Sequence, residues 1–428
     1  MARFVNTRRA VSFVAIAATA ACSDAIPTSP SASASSAAFT TEALSEGRGV
    51  FQRYVALGTS VSMGFRSDGV LAESQTSSWP AQLARMAHRE MTLPLIDGFG
   101  CQAPLRAPLA SGARISGESA AAPRGSLACA GNVPGVLPAQ NVAIVAATTR
   151  DALFTTPETT TDPNNGPAYA RVLAPGQTQL SAALAQNPKI VSVELGANEV
   201  LGSRNGVAVP GVSLFPVFAW APLYTRLVDE LAAVAKHGVL VGLINDVASF
   251  PGMRRGAELY ADRAMFAAAF HVEVAADCDA SDNLLFVPIR VPVAVGTGLA
   301  RRNAGATPFV LSCAGAPSAT TEDYVLTPAE QAIINTQLAQ MNSYIRSEAQ
   351  RIGWAHAELE TLYGVANVKA TYSVVQQMTS ATPYGALFSL DGMHPSAQGS
   401  QVIADAVARA LDARYGFGIR SQLVASAR

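Results

Sequence analysis

The stretch on which the fold turns is YVALGTSVSMGF, residues 54–65. Apolar residues run unbroken from Tyr54 to Leu57 and stop at Gly58. A short continuous apolar run ended by a turn signal suits a strand buried on both faces, as in a parallel sheet. Small residues follow, with Ser60 and Ser62 among them. A serine in that place is either a turn residue satisfying a nearby backbone group or a nucleophile presented at the end of a strand. The rest of the chain has to decide.

Similar runs recur as KIVSVEL from Lys189, GVLVGLI from Gly238 and NLLFVPI from Asn283, with WAHAEL from Trp354 a weaker case. Helical patterns separate them. The clearest begins LTPAEQAIINTQL, where Thr327 predicts an N-cap, Pro328 the first helical position and Glu330 a capping box. Ile334, Leu338, Met341, Ile345 and Ile352 then share one face. Strands alternating with helices predict an α/β fold, a parallel sheet covered on both sides in a three-layer α/β/α sandwich. Sites in such sheets gather at the carboxyl ends of the strands. Ser60, the segment after Leu195, and Asp246 all follow predicted strands, with Asp246 expected mainly to anchor its loop. The segments 97–140 and 278–324 are long for connections, so they are expected to decorate the domain and cover its site.

Of 428 residues, 49% are apolar and 14% charged, which supplies a core and excludes a disordered chain. A formal net charge of −1 gives no basis for binding nucleic acid or an anionic membrane surface. Arg3, Arg8 and Arg9 precede an apolar segment, 11–21, far shorter than the ~20 residues of a membrane span. It reads as a signal peptide, 1–22. Its end, TAAC, resembles the lipobox of bacterial lipoproteins and marks Cys22 for lipidation, although Thr19 stands where leucine is usual. Cleavage after the A-x-A of Ala18 to Ala20 is the alternative. Residues 23–47, rich in Ser, Ala and Pro, predict a flexible tether. A domain over 48–415 and a tail over 416–428 complete the expected organisation. The expected location is the bacterial cell envelope, with membrane contact through the lipid alone, or else secretion. Cys101, Cys129, Cys278 and Cys313 then remain, an even set in an exported chain. Three pairings are open, besides four free thiols. Cys101–Cys129 with Cys278–Cys313 is expected, because each closes a local insertion.

SLDGMHPSAQG, from Ser389, places Asp391 and His394 three apart around Gly392, with Pro395 expected to open an amphipathic helix. One short loop can so deliver a base and the carboxylate that orients it. Serine needs such a base, since its hydroxyl is a weak nucleophile unaided. NVAIVAATTRD, from Asn141, carries Ala146 among small residues, where a backbone N–H can face a substrate. VELGANEVL turns at Gly196 and offers the amide of Asn198 to a developing oxyanion. His88, His237, His271 and His356 lie scattered outside any metal-ligand spacing. VGTGLAR, from Val295, imitates a dinucleotide loop but has Arg301 in place of the third glycine. The G-x-S-x-G elbow is absent, because Ser62 fills the place of its last glycine.

Four segments, in order, resemble the blocks of the SGNH (GDSL-type) hydrolases: GTSVS, NVAIVAAT, GANE and DGMH. SWPAQLA, from Ser78, is similar to the segment that often follows the first block. The resemblance spans residues 54–411 and implies a flavodoxin-like sheet and ester hydrolysis without metal or organic cofactor. It implies Ser60 as nucleophile, His394 as base, Asp391 as its partner, and an oxyanion hole from the N–H groups of Ser60 and Ala146 and the Asn198 amide. The implied substrate is a lipid, short-acyl or carbohydrate ester. Three departures stand out. Thr59 replaces the aspartate that supports the nucleophile loop. Ala146 replaces a glycine, and its methyl group calls for negative φ unless strain is tolerated. Glu199 replaces the aspartate after Asn198. Two other readings share the fold: a non-catalytic surface protein that binds glycan or protein, and an acyltransferase.

Overall fold

The computed structural model describes residues 49–316, 320–365 and 369–419. The signal segment with Cys22, the tether and residues 420–428 lie outside the described residues.

Four parallel strands, Tyr54–Gly58, Ile190–Glu194, His237–Gly242 and Ala355–Glu358, lie side by side in that order. The first two are buried along their whole length, which explains their continuous apolar sequence. Residues Leu57, Ile190, Val191 and Leu240 are wholly covered. Each such side chain is worth roughly 1.5–3 kcal/mol relative to exposure. The start of the NVAIVAAT segment pairs on the free side of the first strand. Ala56 N–H donates to Gln140 O at 2.9 Å, Val142 N–H to Ala56 O at 2.9 Å and Ile144 N–H to Gly58 O at 3.1 Å. Numbered along the chain, these segments read 2-1-3-4-5 across the sheet. This is the flavodoxin-like order. It reverses direction between Tyr54–Gly58 and Ile190–Glu194. A crevice therefore opens beyond the carboxyl ends of those two strands, where Ser60 and Asn198 follow.

Helices close both faces. Trp79–Met86 packs on Ala397–Tyr415, which lies along the Ala355–Glu358 strand. On the other side Val217–Ala232 packs against Pro328–Ile352 and Thr149–Phe154. The layers are α/β/α, as the alternation predicts. Pro328–Ile352 starts at the predicted capping box: Thr327 Oγ1 accepts from Glu330 N–H, and Glu330 Oε2 accepts from Thr327 N–H at 2.8 Å.

Several expectations need correction. NLLFVPI does not enter the central sheet. Its strand, Leu284–Phe286, lies antiparallel between Met253–Arg255 and Val325–Leu326 in a small separate sheet. An apolar run reports burial, not the partner strand, and here Val287 already begins a helix. The tail does not start at 416. Gly416 ends the last helix at φ +68°, and the turn sends Phe417 back into the core against Phe51 and Tyr415. Pro395 does not open that helix; Ser396 caps it, accepting from the N–H groups of Gln398 and Gly399. VGTGLAR lies within the Val287–Asn303 helix, not in a loop.

Disulfides join Cys101 to Cys129 and Cys278 to Cys313. The two insertions they staple buttress the site rather than cover it. Among the described residues neither contributes to the lining of the cleft beside Ser60. Arg114 and Arg124 of the first insertion both pair with Asp68. In the second, the N–H groups of Asp323 and Tyr324 donate to Asn205 O at 2.9 and 2.8 Å. Asp246 anchors its loop, accepting from Ala248 N–H at 2.8 Å and Asn335 Nδ2 at 2.9 Å.

Candidate active site

Ser60 is the first residue of a single helical turn, Ser60–Met63, set directly on the end of the first strand. The approach is tight. A Cβ on Gly58 would stand 2.4 Å from Ser62 Oγ, so only glycine fits there. Beneath the turn lies Glu194, the last residue of the neighbouring strand, with no exposure to solvent. Its carboxylate accepts from Thr59 N–H at 3.1 Å, Thr59 Oγ1 at 2.9 Å, Ser62 N–H at 3.3 Å and Ser62 Oγ at 2.9 Å. Trp79 Nε1–H donates to Ser62 Oγ at 3.0 Å, and Asn141 Nδ2 to Ser62 O at 2.8 Å. Burial raises the Glu194 carboxyl, while these donors oppose the rise. The support absent at Thr59 is thus supplied by a carboxylate from the next strand.

The loop before the last helix meets this turn. His394 Nε2 lies 2.9 Å from Ser60 Oγ, and His394 Nδ1 lies 3.0 Å from Asp391 Oδ2. Asp391 is buried and accepts from the N–H groups of Asp68 at 3.0 Å, Met393 at 3.0 Å and His394 at 2.9 Å. Burial pushes its carboxyl up, but the His394 imidazole and the backbone donors outweigh it and hold the group well below the usual carboxylate range. Gly392 makes the loop possible. It sits at φ +65°, and a Cβ there would stand 2.8 Å from Gly252 Cα. Phe65 meets the imidazole edge-on at 4.8 Å between centroids, and the Arg124 guanidinium covers Phe65 at 5.0 Å.

The remaining predicted residues border the same crevice. Ala146 occupies φ +61°, against the negative φ its methyl group calls for. The left-handed turn makes Ala147 N–H donate back to Ile144 O at 3.2 Å, and among the described residues the Ala146 N–H finds no acceptor. The Ser60 N–H, at the start of its helical turn, also finds none among them. Asn198 Nδ2 donates to Ala147 O at 2.8 Å, tying the Asn198 turn to the Ala146 turn, and among the described residues its second amide hydrogen has no acceptor. Glu199 is buried behind it and accepts from Thr149 N–H at 2.7 Å, while its Oε2 has no partner among the described residues. Burial, partly offset by Thr149, pushes this carboxyl up to about 7.

A cleft of about 620 Å³, its open mouth included, runs from Ser60 and His394 between Leu201, Leu243, Phe250 and Leu338. Its walls are mostly apolar side chains. Glu194, Asp68 and Arg204 were not among the predicted site residues. The one available signal was for Glu194, a carboxylate ending an otherwise buried apolar run.

No protein-family model and no curated protein matches the chain. Among solved structures, an acetyl xylan esterase from Geobacillus stearothermophilus is similar at 12% identity with a TM-score of 0.36, over 84% of this chain and 93% of that one. An alpha/beta hydrolase from the metagenome of Lake Arreo, Spain, is similar at 13% identity with a TM-score of 0.36, over 84% and 94% of the two chains. Likeness this distant assigns no activity. The fold rests on the sheet order above, and the chemistry on the geometry around Ser60.

Proposed function

We propose that the chain is a serine ester hydrolase of the SGNH type, working through an acyl-enzyme. The observation that carries this reading is the Asp391–His394–Ser60 relay, with His394 Nε2 at 2.9 Å from the hydroxyl. Ser60 Oγ attacks the ester carbonyl carbon while His394 Nε2 takes its proton. Asp391 holds the ring through Nδ1 and stabilises the imidazolium that forms. The carbonyl oxygen, now an oxyanion, is received by the N–H groups of Ser60 and Ala146 and by the Asn198 amide. One such donor is typically worth about 3 kcal/mol in the transition state. The tetrahedral intermediate collapses, the C–O bond to the alcohol breaks, and His394 returns its proton to that oxygen. Water, deprotonated by His394, then attacks the acyl carbon; the bond to Ser60 Oγ breaks, His394 returns the proton to Oγ, and the acid leaves. Each proton has a donor and an acceptor within the site, so the cycle requires no cofactor.

The lining of the cleft, mostly apolar, favours an ester with an aliphatic part over a wholly polar one. Two disulfides favour an oxidising compartment, in keeping with export to the cell envelope and a lipid on Cys22. The test is hydrolysis of 4-nitrophenyl esters by the purified protein. Ser60→Ala is expected to lower kcat by ~10⁴-fold or more with the fold unchanged by circular dichroism. Undiminished turnover in Ser60→Ala would remove the assignment.

A further inference from the structure

Arg204 lines the same cleft as Ser60 and His394. It stands on the short turn Gly202–Asn205 that follows the Asn198 helix. The turn is held from both sides. Asn205 O accepts from Asp323 and Tyr324 N–H, and Gly206 at φ +91° leaves no room for a Cβ beside Asp323 Oδ1. Arg204 is half-buried, and its Nη1 donates to Leu201 O at 3.0 Å. Among the described residues its other four N–H donors have no acceptor, and it has no carboxylate partner within 4.0 Å. The nearby carboxylates are committed elsewhere: Asp68 to Arg114 and Arg124, Asp391 to His394. Burial works against the charged form of Arg204. Asp68 and Asp391 favour the charged form from a distance, and Arg124 opposes it. Guanidinium stays protonated in proteins, and one whose remaining N–H donors have no acceptor among the described residues is poised to bind an anion directly.

We propose that Arg204 receives a negatively charged oxyanion, carboxylate or phosphate, carried by the substrate that occupies this cleft. The proposal rests on the ester-hydrolase reading for the word substrate, but not for the anion. The fork of paired N–H donors suits two oxygens of one group, which a lysine ammonium cannot match. The apolar walls serve the rest of the molecule. The ligand class is an amphiphile with an aliphatic stretch and one anionic end.

Calorimetric binding to Ser60→Ala protein tests this without turnover. Two pairs of ligands separate charge from chain: monomethyl suberate against dimethyl suberate, and octyl phosphate against octanol. The anionic member of at least one pair is expected to bind about tenfold tighter or more, the strength of a charge-assisted contact. The pair that responds identifies carboxylate or phosphate as the source. Adding Arg204→Gln should erase the preference, and Arg204→Lys should keep part of it, which also guards against a misfolded variant. Equal binding within both pairs, or a preference that survives Arg204→Gln, overturns the proposal. Wild-type hydrolysis of the two suberate esters reads the other question. Ser60-dependent cleavage with no charge preference in binding defeats only the role of Arg204. Anion binding without cleavage of any ester defeats only the hydrolase reading.

Discussion

Ala146 shows how a single residue can hold strain at a site. A non-glycine residue in the left-handed region is disfavoured by about 1–2 kcal/mol, and Ala146 sits there at φ +61°. Its N–H has no acceptor among the described residues, and the proposed function gives that N–H to the oxyanion hole, which would tie the strain to function. Ala146→Gly should relieve it, offset by the entropy glycine loses, and raise stability by up to about 1 kcal/mol. A melting temperature that falls instead would show that the methyl group packs favourably. Glu199 gives a second residue-scale prediction. Its carboxyl rises from 4.5 to about 7 because burial disfavours the charged form. The folded state therefore holds the proton more tightly than the unfolded chain. That advantage is complete below pH ~4.5 and is lost as pH climbs through about 7, a change on the order of 3 kcal/mol. Glu199→Gln, which cannot ionise, should flatten the fall in urea-unfolding free energy between pH 5 and pH 8. An unchanged slope would place that titration elsewhere.

At the scale of elements, the nucleophile turn is held by its neighbour strand rather than by its own sequence. Glu194 takes bonds from Thr59 and Ser62 and belongs to the strand Ile190–Glu194. Glu194→Ala would leave buried donors unsatisfied and is expected to cost about 3 kcal/mol or more in stability. Activity should fall with it, because Ser60 loses its support. Glu194→Gln keeps one acceptor oxygen and should fall between wild type and alanine in both measures. If alanine alone lowers stability but leaves kcat intact, Glu194 supports the fold and not the serine. This layout explains what the sequence could show. The first three strands of the central sheet were legible, because burial forces continuous apolar runs, whereas Ala355–Glu358, buried only at alternate residues, read weakly. The capping box of Pro328–Ile352 was legible, since its residues act within one turn. Leu284–Phe286 was misassigned because hydrophobicity does not name a partner strand. Asp68 and Arg204 were illegible for another reason. Both lie in irregular turns, Asp68 fixed by Arg114 and Arg124, the Arg204 turn by Asp323 and Tyr324. Such placement depends on contacts distant in the chain, which periodicity cannot report.

Over the whole molecule, the site is a consequence of topology. Ser60 follows the first strand, Asn198 the next strand in the sheet, and His394 with Asp391 arrives just before the last helix. They meet because strand order reverses between the first two, opening the crevice beyond their carboxyl ends. The insertions act on this meeting point from behind. The first holds Asp68, whose N–H donates to Asp391, and the second holds the Arg204 turn. Convergence of groups is itself no proof of chemistry, since one fold serves both catalysts and binding proteins. What separates them is whether the Ser60 hydroxyl is activated by His394. Covalent labelling with a fluorophosphonate, read by intact mass and peptide mapping, measures that activation directly. One adduct per chain is expected, on Ser60, which disappears in Ser60→Ala and forms far more slowly in His394→Ala. A chain that stays unlabelled, or labels at the same rate without His394, would contradict that activation.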